Sequence, residues 1–325
     1  MKRFSLVCML LVVVVPLYAQ STLLPESFDV QGHRGARGLK PENTLPAFEI
    51  ALDLRVSTLE MDLHFTADDR VVVWHDPEIN MDRCRLPEDN TIELPQSSSL
   101  IFGSNSLQIR QLTLEQVQAF ICDGLDNERF PQQVNSPTLL ADDDYRIQTL
   151  DAVFAFVDDY SESEAKSASQ RENASTIHFN IESKRNANDA SVIDDGFDGE
   201  HIAPFEQAIM TIAAEYDVLE RITLQSFDHR VLWAVKAAYP DVQIAALTNR
   251  QHSQFEVYAD QGTEIWSPNY TQITEADIAQ AHRNEILVIP WTINDPDDML
   301  KLIEWGVDGI ITDRPDILLN LQIDE

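Results

Sequence analysis

The sequence predicts an α/β protein, a closed (β/α)8 or TIM barrel carrying an insertion after its second strand. Three observations lead there. Short β-rich runs alternate with helical patterns along most of the chain, and eight such runs can be counted. Polar residues with chemical potential fall toward the C-terminal ends of those runs, where barrels of this type carry their sites. No glycine-rich dinucleotide fingerprint supports the competing open, doubly wound sheet.

The expected strands are residues 28–32, 58–63, 177–182, 222–227, 242–247, 264–267, 286–291 and 308–312. Helical patterns lie between them at Ala47 to Leu54 (capped by Asn43 or Thr44), Leu150 to Val157, Pro204 to Tyr216, His229 to Ala238, Glu275 to Arg283 and Pro296 to Trp305. The second strand continues into a hairpin. Residues 58–65 alternate, with Leu59, Met61 and Leu63 on one face and Glu60 and Asp62 on the other. Only four residues separate Phe65 from Arg70, too few for a parallel crossover, so Val71 to Trp74 should return antiparallel. Symmetric closure pairs Phe65 with Arg70 and sets Glu60 opposite His75.

From Pro77 to about Ala141 periodicity is weak, and this stretch reads as the insertion, with loops at 96–99 and 103–106. Thr113 to Phe120 is a candidate short helix with a capping box from Thr113 and Gln116. Ser161 to Ser175 is polar and reads as a loose surface loop. Its Asn173-Ala-Ser is a glycosylation acceptor only in a eukaryotic secretory route.

The 325 residues carry 23 basic and 55 acidic side chains, a formal net charge of −32. Such a surface repels nucleic acid and anionic membranes and favours a cation-dependent site. The first 19 residues have the pattern of a secretory signal: Lys2 and Arg3, an apolar Leu6 to Val15, Pro16, then Leu17-Tyr18-Ala19 before Gln20. The apolar run is short for a membrane span of ~20 residues. Export to a periplasm or the exterior is therefore expected, with no stable membrane insertion after removal. Cys84 and Cys122 can pair in an oxidising compartment or remain as buried thiols.

The candidate chemistry gathers from several strands. His33 suits proton transfer near neutral pH and Arg34 bidentate phosphate binding. Glu60 and Asp62 offer a hard-cation site. Asn180, Glu182 and Lys184 share a face, so Glu182 can complete a three-carboxylate set and Lys184 adds a cation. His75 supplies a second imidazole. Phe227 and Trp291 end strands and can form apolar walls. Asp313 should order the last loop, while His64 and His178 read as structural.

Taken together, HRGARGLKPENTLPAF, LEMDLHFTADDRVVVWHD, HFNIESK, QSFD, WTIN and GVDGIITDRP occur in the order seen in the glycerophosphodiester phosphodiesterase family, which the chain resembles over nearly its whole mature length. Leu54-Arg55-Val56 replaces the small residues usual before the Glu-x-Asp strand, and long acidic stretches interrupt the middle. The resemblance implies hydrolysis of a glycerophosphodiester to glycerol 3-phosphate and an alcohol, with attack by a neighbouring glycerol hydroxyl before water. It implies acid–base roles for His33 and His75 and phosphate contacts from Arg34 and Lys184. One divalent cation would sit on Glu60, Asp62 and Glu182, with Glu42 as a supporting carboxylate. Oxygen donors without cysteine suit Ca²⁺ or Mg²⁺. Two rivals are another phosphodiesterase on the same scaffold, such as a sphingomyelinase D-like lipase or a metal-free phosphoinositide lyase, and a non-catalytic binding barrel. Glu182 weighs against the lyase, the acidic insertion against the lipase, and the complete set of histidines and ligands against the binder.

Overall fold

The computed structural model of the protein describes residues 24–25, 27–95, 107–249 and 254–321. The secretory-signal pattern at 1–19 and the two predicted loops at 96–99 and 103–106 lie outside them. The strands are β1 (Asp29–Gly32), β2 (Thr58–Phe65), β3 (Val71–Val73), β4 (His178–Ser183), β5 (Ile222–Ser226), β6 (Gln243–Thr248), β7 (Ile265–Pro268), β8 (Leu287–Val288) and β9 (Gly309–Thr312). Among the described residues, eight of them run parallel in the order β8-β7-β6-β5-β4-β2-β1-β9, and β3 pairs only with β2. The ring nearly closes between its end strands. The Asp308 and Ile311 N–H groups donate to the Val288 and Pro290 carbonyls at 2.9 and 3.0 Å. The chain is thus a (β/α)8 barrel.

Strand alternation sorts the side chains. Leu59, Met61, Leu63, Phe179, Ile181, Leu224 and Ile310 pack outward into the main core beneath the helices. The intervening positions turn inward. Ala245, Ile265, Ile289 and Ile311 form a small apolar cluster there, and Glu60, Asp62, Asn180, Glu182 and Gln225 are all buried. Parallel register sets Glu60 beside Asn180, Asp62 beside Glu182, and Glu182 beside Gln225. Three carboxylates on neighbouring strands therefore converge because each sits at the same inward parity.

The hairpin differs from the sequence expectation by one residue. Phe65 pairs with Val71, not Arg70, and Leu63 with Val73, so Trp74 lies beside Asp62 and Glu60 is not set opposite His75. The turn is longer than assumed. Thr66 N–H donates to the Arg70 carbonyl, the Thr66 hydroxyl accepts from Arg70 N–H, and Asp69 takes φ 57°. The polar stretch at 161–175 is also corrected. The helix Leu150–Glu162 runs into it, and Ala168–Thr176 is a second helix with a Ser167–Gln170 capping box. Asn173 there donates its side-chain amide to the Val56 carbonyl. The strand expected at 286–291 is shorter, Leu287–Val288, although Ile289 and Trp291 still donate to β7 carbonyls.

Residues between β3 and Leu150 form a small body of their own. Trp74, Ile79, Ile109, Leu112, Phe120 and Ile147 pack together around a Cys84–Cys122 disulfide. Single bridges, Arg85 to Ile121 and Ile121 to Arg146, replace a regular ladder, which is why periodicity is weak. The short helix Leu114–Val117 carries the Thr113–Gln116 capping box. This body is fastened to the barrel rim, where Gln133 Nε2 donates to the Arg37 and Lys40 carbonyls.

Candidate active site

The first constellation is built by the bend after β1. His33 leaves the strand, and Arg34 adopts a left-handed φ of 53° that aims its backbone N–H at Glu60 Oε2, 2.9 Å away. Gly35 follows at φ 83°. A Cβ there would lie 2.6 Å from the Ala47 carbonyl carbon, so the bend requires glycine. Asn43, also left-handed at φ 56°, donates Nδ2 to Asp62 Oδ2 at 2.8 Å. Thr44 then caps the helix Leu45–Leu54. Non-glycine residues in this conformation cost energy and persist where surrounding contacts hold them. Here those contacts are to Glu60 and Asp62.

Glu60, Asp62 and Glu182 form one buried group, each offering an oxygen within 4.8 Å of the others. Gln225 Nε2 donates to Glu60 Oε1 at 2.8 Å. Burial and then the neighbouring Asp62 raise the Glu60 carboxyl well above its ordinary range. Glu182 is also raised, chiefly by burial. Asp62 goes the other way: burial opposes ionisation, but Arg34 and Lys184 outweigh it. Asp62 Oδ1 is buried without a hydrogen-bond partner. Two carboxyls raised by burial and by the neighbouring Asp62, an orphaned oxygen and an all-oxygen donor set fit a hard divalent cation.

Cations stand around this group. Arg34 Nη1 donates to Glu42 Oε1 at 2.9 Å, and its Nε lies 3.1 Å from Asp62 Oδ2. Lys184 Nζ is 3.0 Å from Glu182 and 3.5 Å from Asp62. Glu42 also receives Arg37 and Arg83. Burial would raise Glu42, but Arg34, then Arg37 and Arg83, bring it down to about 2.

Both histidines have one nitrogen held by a carboxylate. His33 Nδ1 is 2.6 Å from Asp313 Oδ1, while its Nε2 points toward Glu60 Oε2 at 3.9 Å. His75 Nδ1 is 2.6 Å from Asp76 Oδ1. Burial, then the Arg37 charge, lowers His33 to about 4, so it is neutral near pH 7. Asp313 is fully buried and also receives two nitrogens of Arg37 and the Asn294 amide. It orders the last loop, as expected, and holds His33 as well.

A cavity of about 240 Å³ opens over these groups. His33, Arg34, Glu60, His75, Glu182 and Lys184 line it, together with Phe227 and Trp291. The two rings meet edge to face with centroids 5.7 Å apart. Phe227 is 45% exposed, so it forms a rim, not a buried wall. The Trp291–Thr292 peptide is cis. Glu42 stands behind Arg34, outside the cavity lining. His64 is buried, its Nε2 3.1 Å from the His75 carbonyl, and burial lowers it to about 4. His178 is exposed at the opposite, N-terminal end of β4.

Sequence reasoning missed Arg37, Asn43, Gln225, Asn294 and Arg129. Gln225 was findable, since it shares parity with Phe227, the residue just past the end of β5. Asn43 lies inside the Pro-Glu-Asn-Thr motif. Arg129 comes from the insertion and had no local signal.

The model of the glycerophosphoryl diester phosphodiesterase family matches residues 33–317. A glycerophosphodiester phosphodiesterase of Caldanaerobacter subterraneus subsp. tengcongensis is 26% identical over 299 residues, covering 90% of this chain and 96% of that protein. One from Bacillus subtilis is 22% identical over 317 residues, covering 94% and 90%. In fold, the chain is similar to an Oleispira antarctica phosphodiesterase solved with its product sn-glycerol-3-phosphate, with a TM-score of 0.64, 18% identity and coverage of 89% and 95%. With the match running from His33 past Asp313, the chain belongs to the glycerophosphoryl diester phosphodiesterase family.

Proposed function

We propose that the protein is an exported, metal-dependent glycerophosphodiesterase that releases glycerol 3-phosphate and an alcohol. The observation that carries this is one cavity lined by Glu60 and Glu182, with Asp62 buried against them, by the cations Arg34 and Lys184, and by two carboxylate-held histidines. Glu60, Asp62 and Glu182 would hold one Ca²⁺ or Mg²⁺, which when bound would supply charge neutralisation at the phosphoryl oxygens. Arg34 and Lys184 would stabilise the charge that grows on the phosphate. Glu42 keeps Arg34 in place.

His33 is kept neutral and its Nδ1–H is given to Asp313, so Nε2 is free to accept a proton. It would take one from the glycerol hydroxyl next to the phosphodiester. That oxygen bonds to phosphorus as the bond to the leaving alcohol breaks. His75, more exposed and oriented by Asp76, would give the departing alkoxide its proton. Water would then open the cyclic diester with the two roles reversed. Each proton transfer is worth on the order of 10²–10⁴ in rate. Phe227 and Trp291 would flank the carbon skeleton of the substrate.

Export is supported by the pattern of residues 1–19 and by the disulfide, which belongs in an oxidising compartment. Among the described residues, no helix is long and apolar enough to cross a membrane.

The test is phosphorus NMR of glycerophosphocholine incubated with purified protein in Ca²⁺, in Mg²⁺ and in chelator. Glycerol 3-phosphate should form with at least one cation and stop with chelator. Equal turnover in chelator would remove the metal from the mechanism, and no turnover of any glycerophosphodiester would remove the substrate.

A further inference from the structure

Among the described residues, Arg129 is the one cavity-lining residue contributed by the 77–141 insertion. Every other cation of the cavity is already neutralised: Arg34 by Glu42 and Asp62, Arg37 by Asp313, and Lys184 by Glu182. Arg129 makes no ion pair among the described residues, and Asp313 and Asp126 act on it only through space, against burial and the like charges of Arg37 and Arg34. Asp126 accepts the Arg129 backbone N–H at 3.2 Å, not the guanidinium. In a chain of 23 basic and 55 acidic residues, a cation left unpaired at the mouth of a cavity is unexpected.

Its position is nevertheless built. Arg129 stacks on the Phe130 ring at 5.1 Å, and Arg37 stacks on the same ring at 5.2 Å. Phe130 is buried, and its N–H donates to the Asp126 carbonyl. Gln132 receives Arg314, and Gln133 ties the loop to the Arg37 and Lys40 carbonyls. The guanidinium is thus held at the rim on the Arg37 side, and its side chain donates no hydrogen bond among the described residues.

Building on the glycerophosphodiester reading, we propose that Arg129 selects the leaving group, favouring diesters whose alcohol carries a second anionic group and disfavouring a quaternary ammonium. The reacting phosphate bears one negative charge, which Arg34, Lys184 and a cation on the three carboxylates would meet. A further guanidinium with free donors, set outside that group, matches a carboxylate or phosphate on the alcohol. The same charge repels the trimethylammonium of choline.

The matched probes are glycerophosphoinositol and glycerophosphoinositol 4-phosphate, which differ by one phosphate, with glycerophosphocholine as the cationic probe. Arg129→Ala and Arg129→Glu are compared with the wild type at fixed ionic strength. Arg129→Ala should lower kcat/KM for the 4-phosphate compound about tenfold, through KM, and change the unphosphorylated one less than about threefold, as expected for one exposed charge-assisted contact. Arg129→Glu should also raise kcat/KM for glycerophosphocholine. An equal loss on all three substrates would overturn the proposal, because Arg129 would then bind the phosphate common to them. An unchanged ratio would overturn it as well. Calorimetric binding of the two inositol compounds to His33→Ala protein, with and without Arg129→Ala, reads the same selectivity without turnover. Wild type that turns over nothing would therefore sink the hydrolase reading while the binding ratio still decides the role of Arg129.

Discussion

Asp313 offers the sharpest test of how the site is held together. It is fully buried and takes His33 Nδ1 at 2.6 Å, Arg37 at 2.7 and 3.0 Å, and the Asn294 amide at 2.7 Å. Asp313→Ala strands the buried Arg37 guanidinium, leaving it the longer 3.3 Å hydrogen bond to Glu42 and its stacking on Phe130. Removing one partner of a buried ion pair costs about 3–5 kcal/mol. At roughly 2 °C per kcal/mol for a chain of this size, the melting temperature should fall about 6–10 °C. Asp313→Asn preserves shape, but an amide cannot satisfy His33 and both Arg37 nitrogens at once. It also frees the His33 ring to present the wrong tautomer. Its kcat should drop by on the order of 10²–10⁴ while the protein stays folded. Circular dichroism melts and phosphorus NMR rates read the two effects separately. A folded Asp313→Asn protein within about threefold of wild-type kcat would refute the assignment of His33's orientation to Asp313.

Three further outcomes follow from the geometry. Glu42 is depressed to about 2 by Arg34, Arg37 and Arg83, so its stabilising contribution is present above the unfolded carboxyl value and lost as pH falls from about 4.5 toward 2. The melting-temperature gap between wild type and Glu42→Gln should therefore be wide at pH 6 and narrow by pH 3, and a gap independent of pH would contradict this. The Cys84–Cys122 bond spans a sequence separation of 38, for which loop closure predicts about 4 kcal/mol, so the Cys84→Ser/Cys122→Ser protein should show a matching drop in denaturant-derived stability. Ca²⁺ or Mg²⁺ should raise the melting temperature of wild type but not of Glu60→Gln, since the cation binds only the assembled carboxylates; an equal rise in both would place the ion elsewhere.

Much of the site was legible because strand parity is a local rule. Glu60 with Asp62, and Asn180 with Glu182, could be set on one face from spacing alone, and parallel register then brought them together. The hairpin register was not legible, because the Thr66 hydroxyl and the left-handed Asp69 lengthen a turn that spacing treats as symmetric. The helix Ala168–Thr176 was missed because it buries only Ala174 and so shows almost no apolar periodicity; its Ser167–Gln170 capping box was the available clue. The His33–Asp313 contact joins residues 280 apart, and Arg129 reaches the cavity through a body held by a disulfide and single bridges. Neither leaves a local trace in the chain.

The central claim is that this cavity cleaves glycerophosphodiesters through its histidine pair. The most direct measurement is glycerol 3-phosphate release from glycerophosphocholine by wild type and His33→Ala at saturating Ca²⁺. The account predicts turnover by wild type and a loss of on the order of 10² or more in His33→Ala. Equal rates for the two proteins would contradict it.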